Sequence, residues 1–233
     1  MNASIFYSVC IPVLNEGGNL AVLVPKLDDV LKSTAKPYEI LILNDRGTDN
    51  SEIVLENLKK EFSDLHVIDR NSNPGPGYAL REGFKRAQGE IIITMDGDLS
   101  HDPSDIPYLL EGLHEADMVC GSRYIKGGEG RLGWVRQIFS KIFNWLVQQC
   151  TGVPIQHATS NFRVFRRKII ETIVLDGGQF GIFIEIPIQT YRAGFPMTER
   201  PIHYCVRGTG RSHSSPRQWL DYVKTLFKYC ARR

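Results

Sequence analysis

Asp96 and Asp98, one glycine apart, close the apolar run Ile91-Ile92-Ile93-Thr94-Met95. Two carboxylates so spaced at the end of a buried strand can share one divalent cation. A hard cation such as Mg2+ or Mn2+ takes oxygen ligands and often completes its shell with substrate phosphates. The same residues also read as a solvated acidic turn, with Asp102 or Ser104 capping the helix that follows. Asp45, in Asn44-Asp45-Arg46-Gly47, follows another apolar run. It can accept hydrogen bonds from a base edge or a ribose, or it and Asp49 can serve as turn and cap residues. Asn73-Pro74-Gly75-Pro76-Gly77 opens a helical stretch. Glycines permit close backbone approach and a helix N-terminus favours anions, so Gly77 is a candidate phosphate contact as well as an ordinary turn residue. Arg123, Arg136, Arg207 and Arg211 fall outside the regular elements or near their ends. Guanidinium forks suit phosphate, although a lone arginine is more often a solvated surface residue.

The elements that must position these groups follow from periodicity. Short apolar runs predict strands at 5–11, 38–43, 65–69, 90–95 and 118–121, with returning strands at 161–165 and 201–206. Helical spacing predicts helices at 19–33, 49–62, 77–88, 104–113, 132–149, 180–191 and 218–229. Strands alternating with helices of this length imply an α/β fold with a mostly parallel, Rossmann-like sheet and helices on both faces. Ligands in such sheets bind beyond the carboxyl ends of the strands. The informative places are therefore 12–16, 44–47, 69–77 and 96–101.

The chain has 233 residues, of which 42% are hydrophobic, enough for one α/β domain with a small appendage. A formal net charge of +2 gives no basic field of the kind that binds nucleic acid. The five cysteines are scattered without zinc spacing and read as reduced thiols in or near the core. No signal peptide is expected at the N-terminus, and no window approaches the roughly 20 apolar residues of a spanning helix. Stretches 132–149 and 218–229 are amphipathic. Lys141, Lys224, Lys228, Arg232 and Arg233 beside Trp and Phe residues suit a peripheral membrane contact. They equally suit ordinary packing, a dimer interface or a partner subunit.

Taken together, the motifs resemble the family 2 glycosyltransferases of GT-A fold, in the branch of dolichyl- and polyprenyl-phosphate mannosyltransferases and glucosyltransferases. The residues that carry this are IPVLNEGGNL at 11–20, LNDRGTDNS at 43–51, NPGPGYALREGF at 73–84, MDGDLSHDP at 95–103, GSRY at 121–124, RQIFS at 136–140, TSNFRVF at 159–165 and RGTGRSH at 207–213. The similarity runs over about residues 5–215, in matching order and spacing. It implies a GT-A domain at 1–215, with a nucleotide-binding half to about 125 and an acceptor half from about 126, then an amphipathic helix at 216–233. It implies that Pro12, Leu14, Glu16 and Asp45 line the base and ribose pocket, and that Asp96 and Asp98 hold Mg2+ or Mn2+ on the diphosphate. Arg123, Arg136, Ser140 and Arg207 would bind phosphate, and Glu185 would lie near the acceptor or sugar.

Several positions depart from the family pattern. Asn44 replaces the first acid of the usual VDDGS, Ser100 a common Gln, and Leu14 an aromatic. His157 stands for the usual Asp, Asn161 for the usual Gly and His213 for a Lys. These changes cluster in the sugar and acceptor regions. The expected reaction is inverting transfer of mannose, glucose or a similar sugar from a GDP- or UDP-linked donor to a polyprenyl phosphate. Such an acceptor is already anionic and needs no strong base. A hydroxyl acceptor on a saccharide or small molecule would need one, and His157 is the candidate. A third reading is a weakly catalytic nucleotide-sugar-binding partner subunit. The expected location is the cytoplasm, at the cytoplasmic face of a membrane for a lipid acceptor.

Overall fold

The computed structural model describes residues 4–71, 74–130, 134–205, 208 and 216–231, without the side chains of residues 135, 136, 216 and 217. The first half alternates strictly: β1 (Tyr7–Val13), α1 (Gly17–Ser33), β2 (Tyr38–Asp45), α2 (Ser51–Glu61), β3 (Leu65–Arg70), α3 (Pro76–Arg86), β4 (Ile91–Thr94), α4 (Ile106–Glu111) and β5 (Met118–Ser122). Then come β6 (Glu129–Gly130), α5 (Trp134–Thr151), β7 (Arg163–Arg166), α6 (Lys168–Thr172), α7 (Ile182–Arg192), β8 (Met197–Pro201), β9 (His203–Tyr204) and α8 (Pro216–Cys230).

Seven strands form one sheet in the order β3-β2-β1-β4-β7-β5-β8, and β6 pairs separately with β9. Neighbours in the large sheet are parallel except β7, which is antiparallel to β4 and β5. The carboxyl ends of β1, β2 and β4 therefore share one edge. Because β7 runs the other way, its entrance lies on that edge, and residues 157–161 arrive beside the end of β4.

Side chains alternate between two cores, as the pleat requires. Val9, Ile11, Ile40 and Ile42 face a core shared with α1, α2 and α4. Cys10, Leu41 and Leu43 face the other, shared with α3, α5, α7 and α8. Helix α8 contributes buried Tyr222, Leu226 and Tyr229 to this second core and so is built into the fold.

Some elements differ from expectation. β1 continues through Pro12, because its pairing with β4 ends at Cys10 and the missing proline N–H costs nothing there. The helix expected at 104–113 is split into short 3-10 turns around α4. The strand expected at 201–206 is replaced by β8 and β9. β8 is an edge strand of half-buried residues, so it carries no apolar run to betray it. Among the cysteines Cys205 is exposed, while Cys10 and Cys120 are buried as free thiols.

Candidate active site

The shared strand edge opens into a cavity of about 470 Å³. Pro12, Leu14, Glu16, Asp45, Asp96, Asp98, Arg123, Ser140 and His157 line it, so most of the predicted site residues do meet.

At one end Asp45 accepts a hydrogen bond from the Gly75 N–H at 2.6 Å and pairs with Arg70. The two are register partners on β2 and β3. Burial raises the Asp45 pKa, against the Gly75 N–H and the Arg70 charge, which lower it. Asn44 is tied to Asp69 at 2.8 Å. Glu16 stands at the N-cap position of α1 and accepts from the Asn19 side-chain Nδ2 at 2.6 Å rather than capping the helix backbone, while its own N–H donates to Ser51 Oγ. Asn15 sits in the left-handed region, at φ 58°, and accepts the Thr48 N–H at 2.7 Å, which orders the loop beyond Asp45.

Asp96 and Asp98 lie centrally. The intervening Gly97 packs on β1 so tightly that a Cβ would stand 2.7 Å from Val13 Cγ1. Asp98 accepts the Ser100 N–H at 3.0 Å, and Leu99 takes φ 66°, a conformation costing an L-residue about 1–2 kcal/mol. Asp102 accepts the Ser104 N–H at 3.0 Å, so the capping role coexists with the paired acids. The Asp96 N–H donates to His101 Nδ1 at 3.1 Å, and the Asn161 amide holds Asp96 Oδ1 at 2.9 Å. Burial raises the Asp96 pKa, and nearby Asp98 raises it further, against the pull of His101 and Asn161. Two acids in this relation gain from a cation between them. Among the described residues no group of three or more His, Cys, Asp and Glu is placed to hold a metal ion. The backbone after β9 closes over the loop: the Gly208 N–H donates to the Asp98 carbonyl at 3.1 Å.

At the far end Arg123 stacks between Tyr204, 4.4 Å from the ring centroid, and Tyr124, at 5.0 Å. It donates to the Tyr124 hydroxyl at 3.0 Å, which donates in turn to Ser140 at 2.6 Å. Asn144 bridges Ser140 and Thr159, fixing α5 against the segment that enters β7. His157 packs on Tyr124, 4.6 Å between centroids. Burial, then the charge of Arg123, pulls its pKa well below the usual value, so its imidazole is neutral.

Two predicted residues lie elsewhere. Gly77 does not line the cavity: a Cβ there would stand 2.5 Å from the Gly177 carbonyl, and the neighbouring Tyr78 N–H is already bonded to Gly178. Its smallness serves chain packing, while Pro74, Gly75 and Pro76 are the residues that this helix start presents to the cavity. Glu185 is fully buried behind the wall, accepting from Tyr229 at 2.6 Å and the Gly177 N–H at 2.8 Å and contacting Lys228. It fastens α8 to α7. The Arg136 side chain, and Arg207, Arg211 and His213, lie outside the described residues.

Tyr204 and the α8 residues Gln218, Trp219 and Tyr222 also line the cavity, and Arg70 and Asn15 hold Asp45 and the loop beyond it. Arg70 and Asn15 fall within the strand exits 69–77 and 12–16, whereas the sequence marked Tyr204, Gln218, Trp219 and Tyr222 only as strand or amphipathic-helix positions.

α5 is polar where it meets the cavity, through Ser140 backed by the buried Asn144, and apolar outside. Trp134, Ile138, Phe139, Ile142, Trp145 and Leu146 are exposed on it, as are Leu220, Val223 and Phe227 on α8. Among the described residues no helix is long and apolar enough to cross a membrane.

The sequence profile described as Glycosyl transferase family 2 matches residues 8–174. The chain belongs to this family. A curated relative, the dolichol-phosphate mannosyltransferase of Pyrococcus furiosus, is 29% identical over 228 residues. That alignment covers 95% of this chain and 62% of the relative, so this chain spans less than two thirds of that protein's length. Glucosyl-3-phosphoglycerate synthase from Mycobacterium tuberculosis, solved with Mn2+, UDP and phosphoglyceric acid, superposes with TM-score 0.77 at 18% identity. The match covers 97% of this chain and 78% of that one. The same enzyme with Mg2+ and UDP gives 0.76, also at 18% identity, over 97% of this chain and 80% of that one. At this identity the match establishes the shared fold.

Proposed function

We propose that this glycosyltransferase moves a hexose from a nucleoside diphosphate sugar to a polyprenyl phosphate at a membrane surface, with inversion. The observation that carries this reading is the inside-out polarity of α5 and α8. The two helices that wall the cavity with Ser140 and Trp219 expose large apolar side chains outward, among them Trp134, Phe139 and Trp145 on α5 and Leu220 and Phe227 on α8. A water-soluble acceptor has no need of that surface, whereas a lipid acceptor must be met where its chain is buried. The curated relative is named for a dolichol-phosphate reaction, which agrees.

The donor base and ribose would occupy the end at Pro12, Leu14, Glu16 and Asp45. Asp96 and Asp98 would hold Mg2+ or Mn2+, with diphosphate oxygens and water as the remaining ligands. The ion would supply Lewis-acid neutralisation of the leaving diphosphate. Arg123, fixed by two aromatic rings, would orient the acceptor phosphate by charge and hydrogen bonding, with Ser140 beside it. A phosphate oxygen of the acceptor attacks the anomeric carbon as the bond to the donor diphosphate breaks. No proton need be removed, and neutral, weakly basic His157 is consistent with a hydrogen-bonding role.

The test is transfer from GDP-mannose, UDP-glucose and related donors to polyprenyl phosphate in liposomes, with soluble sugars and phosphoglycerate in parallel. Lipid-dependent transfer that is abolished by EDTA and by joint Asp96→Ala and Asp98→Ala is expected. Transfer to a soluble acceptor alone would overturn the lipid reading. Donor binding and turnover unaffected by removing both acids would overturn the metal reading.

A further inference from the structure

Asn161 enters the cavity wall from the segment that leads into β7. It is 2% exposed. Its Nδ2 donates to Asp96 Oδ1 at 2.9 Å, and its backbone carbonyl accepts from Thr94 Oγ1 at 2.7 Å. Thr94 belongs to β4, the strand that delivers Asp96, and pairs in register with Arg163 just beyond Asn161. Donor and acceptor are thus mounted on one pair of hydrogen-bonded strands. The Asp96 backbone is held separately by His101, which stacks on Phe162 with centroids 4.9 Å apart. A neutral amide gives the carboxylate a donor whose strength does not change with pH.

We propose that Asn161 is a positioning residue for the cation site. By occupying Oδ1 it turns Asp96 so that Oδ2 alone serves the ion held with Asp98. The proposal rests on the metal reading above. Groups outside the coordination shell that orient metal ligands typically contribute about ten- to hundred-fold in metal affinity.

The test is Mn2+ titration of the full chain, followed by the electron paramagnetic resonance signal of the free ion, with GDP and with UDP present in turn. Wild type, Asn161→Ala, Asn161→Ser and the Asp96→Ala/Asp98→Ala double variant are compared. Both Asn161 variants should bind Mn2+ about ten- to hundred-fold more weakly. Their melting temperatures without metal should stay within a few degrees of wild type. The Mn2+ concentration for half-maximal activity should rise far more than turnover at saturating Mn2+ falls, a split that a purely structural role would not give. Mn2+ affinity within twofold of wild type in either folded variant overturns the proposal, and so does failure of both to fold. If wild type binds Mn2+ no better than the double variant, the metal reading itself has failed, an outcome distinct from a defect confined to Asn161.

Discussion

Gly97 separates the two acids, and its substitution by alanine isolates what their spacing is worth. Gly97 is not in the left-handed region, so the effect of a methyl group is steric alone. Its Cβ would stand 2.7 Å from Val13 Cγ1, while the next contacts, Ile11 Cγ2 at 3.4 Å and the Pro12 carbonyl at 3.8 Å, are tolerable. Carbon atoms rest about 3.5–4.0 Å apart, so the loop or the valine must give by roughly 1 Å. Overpacking of this kind costs about 1–3 kcal/mol. For a chain of this size that is roughly 2–12 °C in melting temperature. A displacement of about 1 Å in a reacting constellation costs on the order of a hundredfold in rate. Gly97→Ala should therefore lower kcat/KM by about two orders of magnitude while leaving the protein folded. Val13→Ala removes the clashing methyl group and forfeits about 1.6 kcal/mol of burial. Val13→Ala/Gly97→Ala should be less stable than wild type yet at least about tenfold more active than Gly97→Ala, a coupling that additive sites would not show. The assays are urea unfolding and donor-dependent transfer. Wild-type activity in Gly97→Ala, or no recovery in the double variant, would refute the steric argument.

Other outcomes follow from the same geometry. His157 is held neutral in the fold but binds a proton below about pH 6.5 when unfolded, so stability is lost as pH falls below that value. Each such histidine adds up to about 1.4 kcal/mol per pH unit to the slope, and His101 shifts in the same direction. His157→Asn should flatten the dependence of melting temperature on pH between 7.5 and 5.5, and an unchanged slope would show that burial does not suppress its charge. Glu185→Gln should cost about 1.5–3 kcal/mol in urea unfolding, with the donor KM unchanged. A loss of kcat beyond a thousandfold without destabilisation would instead make Glu185 part of the chemistry. Trp145→Glu/Phe227→Glu should abolish co-sedimentation with anionic liposomes while transfer to a short-chain, water-soluble polyprenyl phosphate survives. Undiminished liposome binding would remove the membrane surface from the reading.

What could be seen beforehand, and what could not, divides along physical lines. β1, β2 and β4 are buried on both faces, so each is a near-continuous apolar run whose end marks the site edge: Pro12, Asp45 and Asp96 were legible for that reason. β8 is a half-buried edge strand, MTERP, and periodicity misplaced it. Glu185 and Gly77 matched motif positions, but position along a chain does not say which way a side chain points. Glu185 lies on α7 facing α8, away from the cavity, and Gly77 is pressed against the carbonyls of a loop a hundred residues distant. The decisive unseen feature is the reversal of β7. Composition carries no mark of strand direction, and the Arg-Val-Phe-Arg of Arg163–Arg166 would read the same either way. Run parallel to β4, β7 would send residues 157–161 to the opposite edge of the sheet. Run antiparallel, it brings His157, Ser160 and Asn161 up to the acids and clasps α5 through Thr159 and Asn144. That one reversal joins the β1–β4 half of the sheet to the helices with the apolar outer face. The departures at 157 and 161 therefore lie in the cavity wall at the junction of the two halves, which is where the proposed reaction would have a difference in sugar or acceptor read.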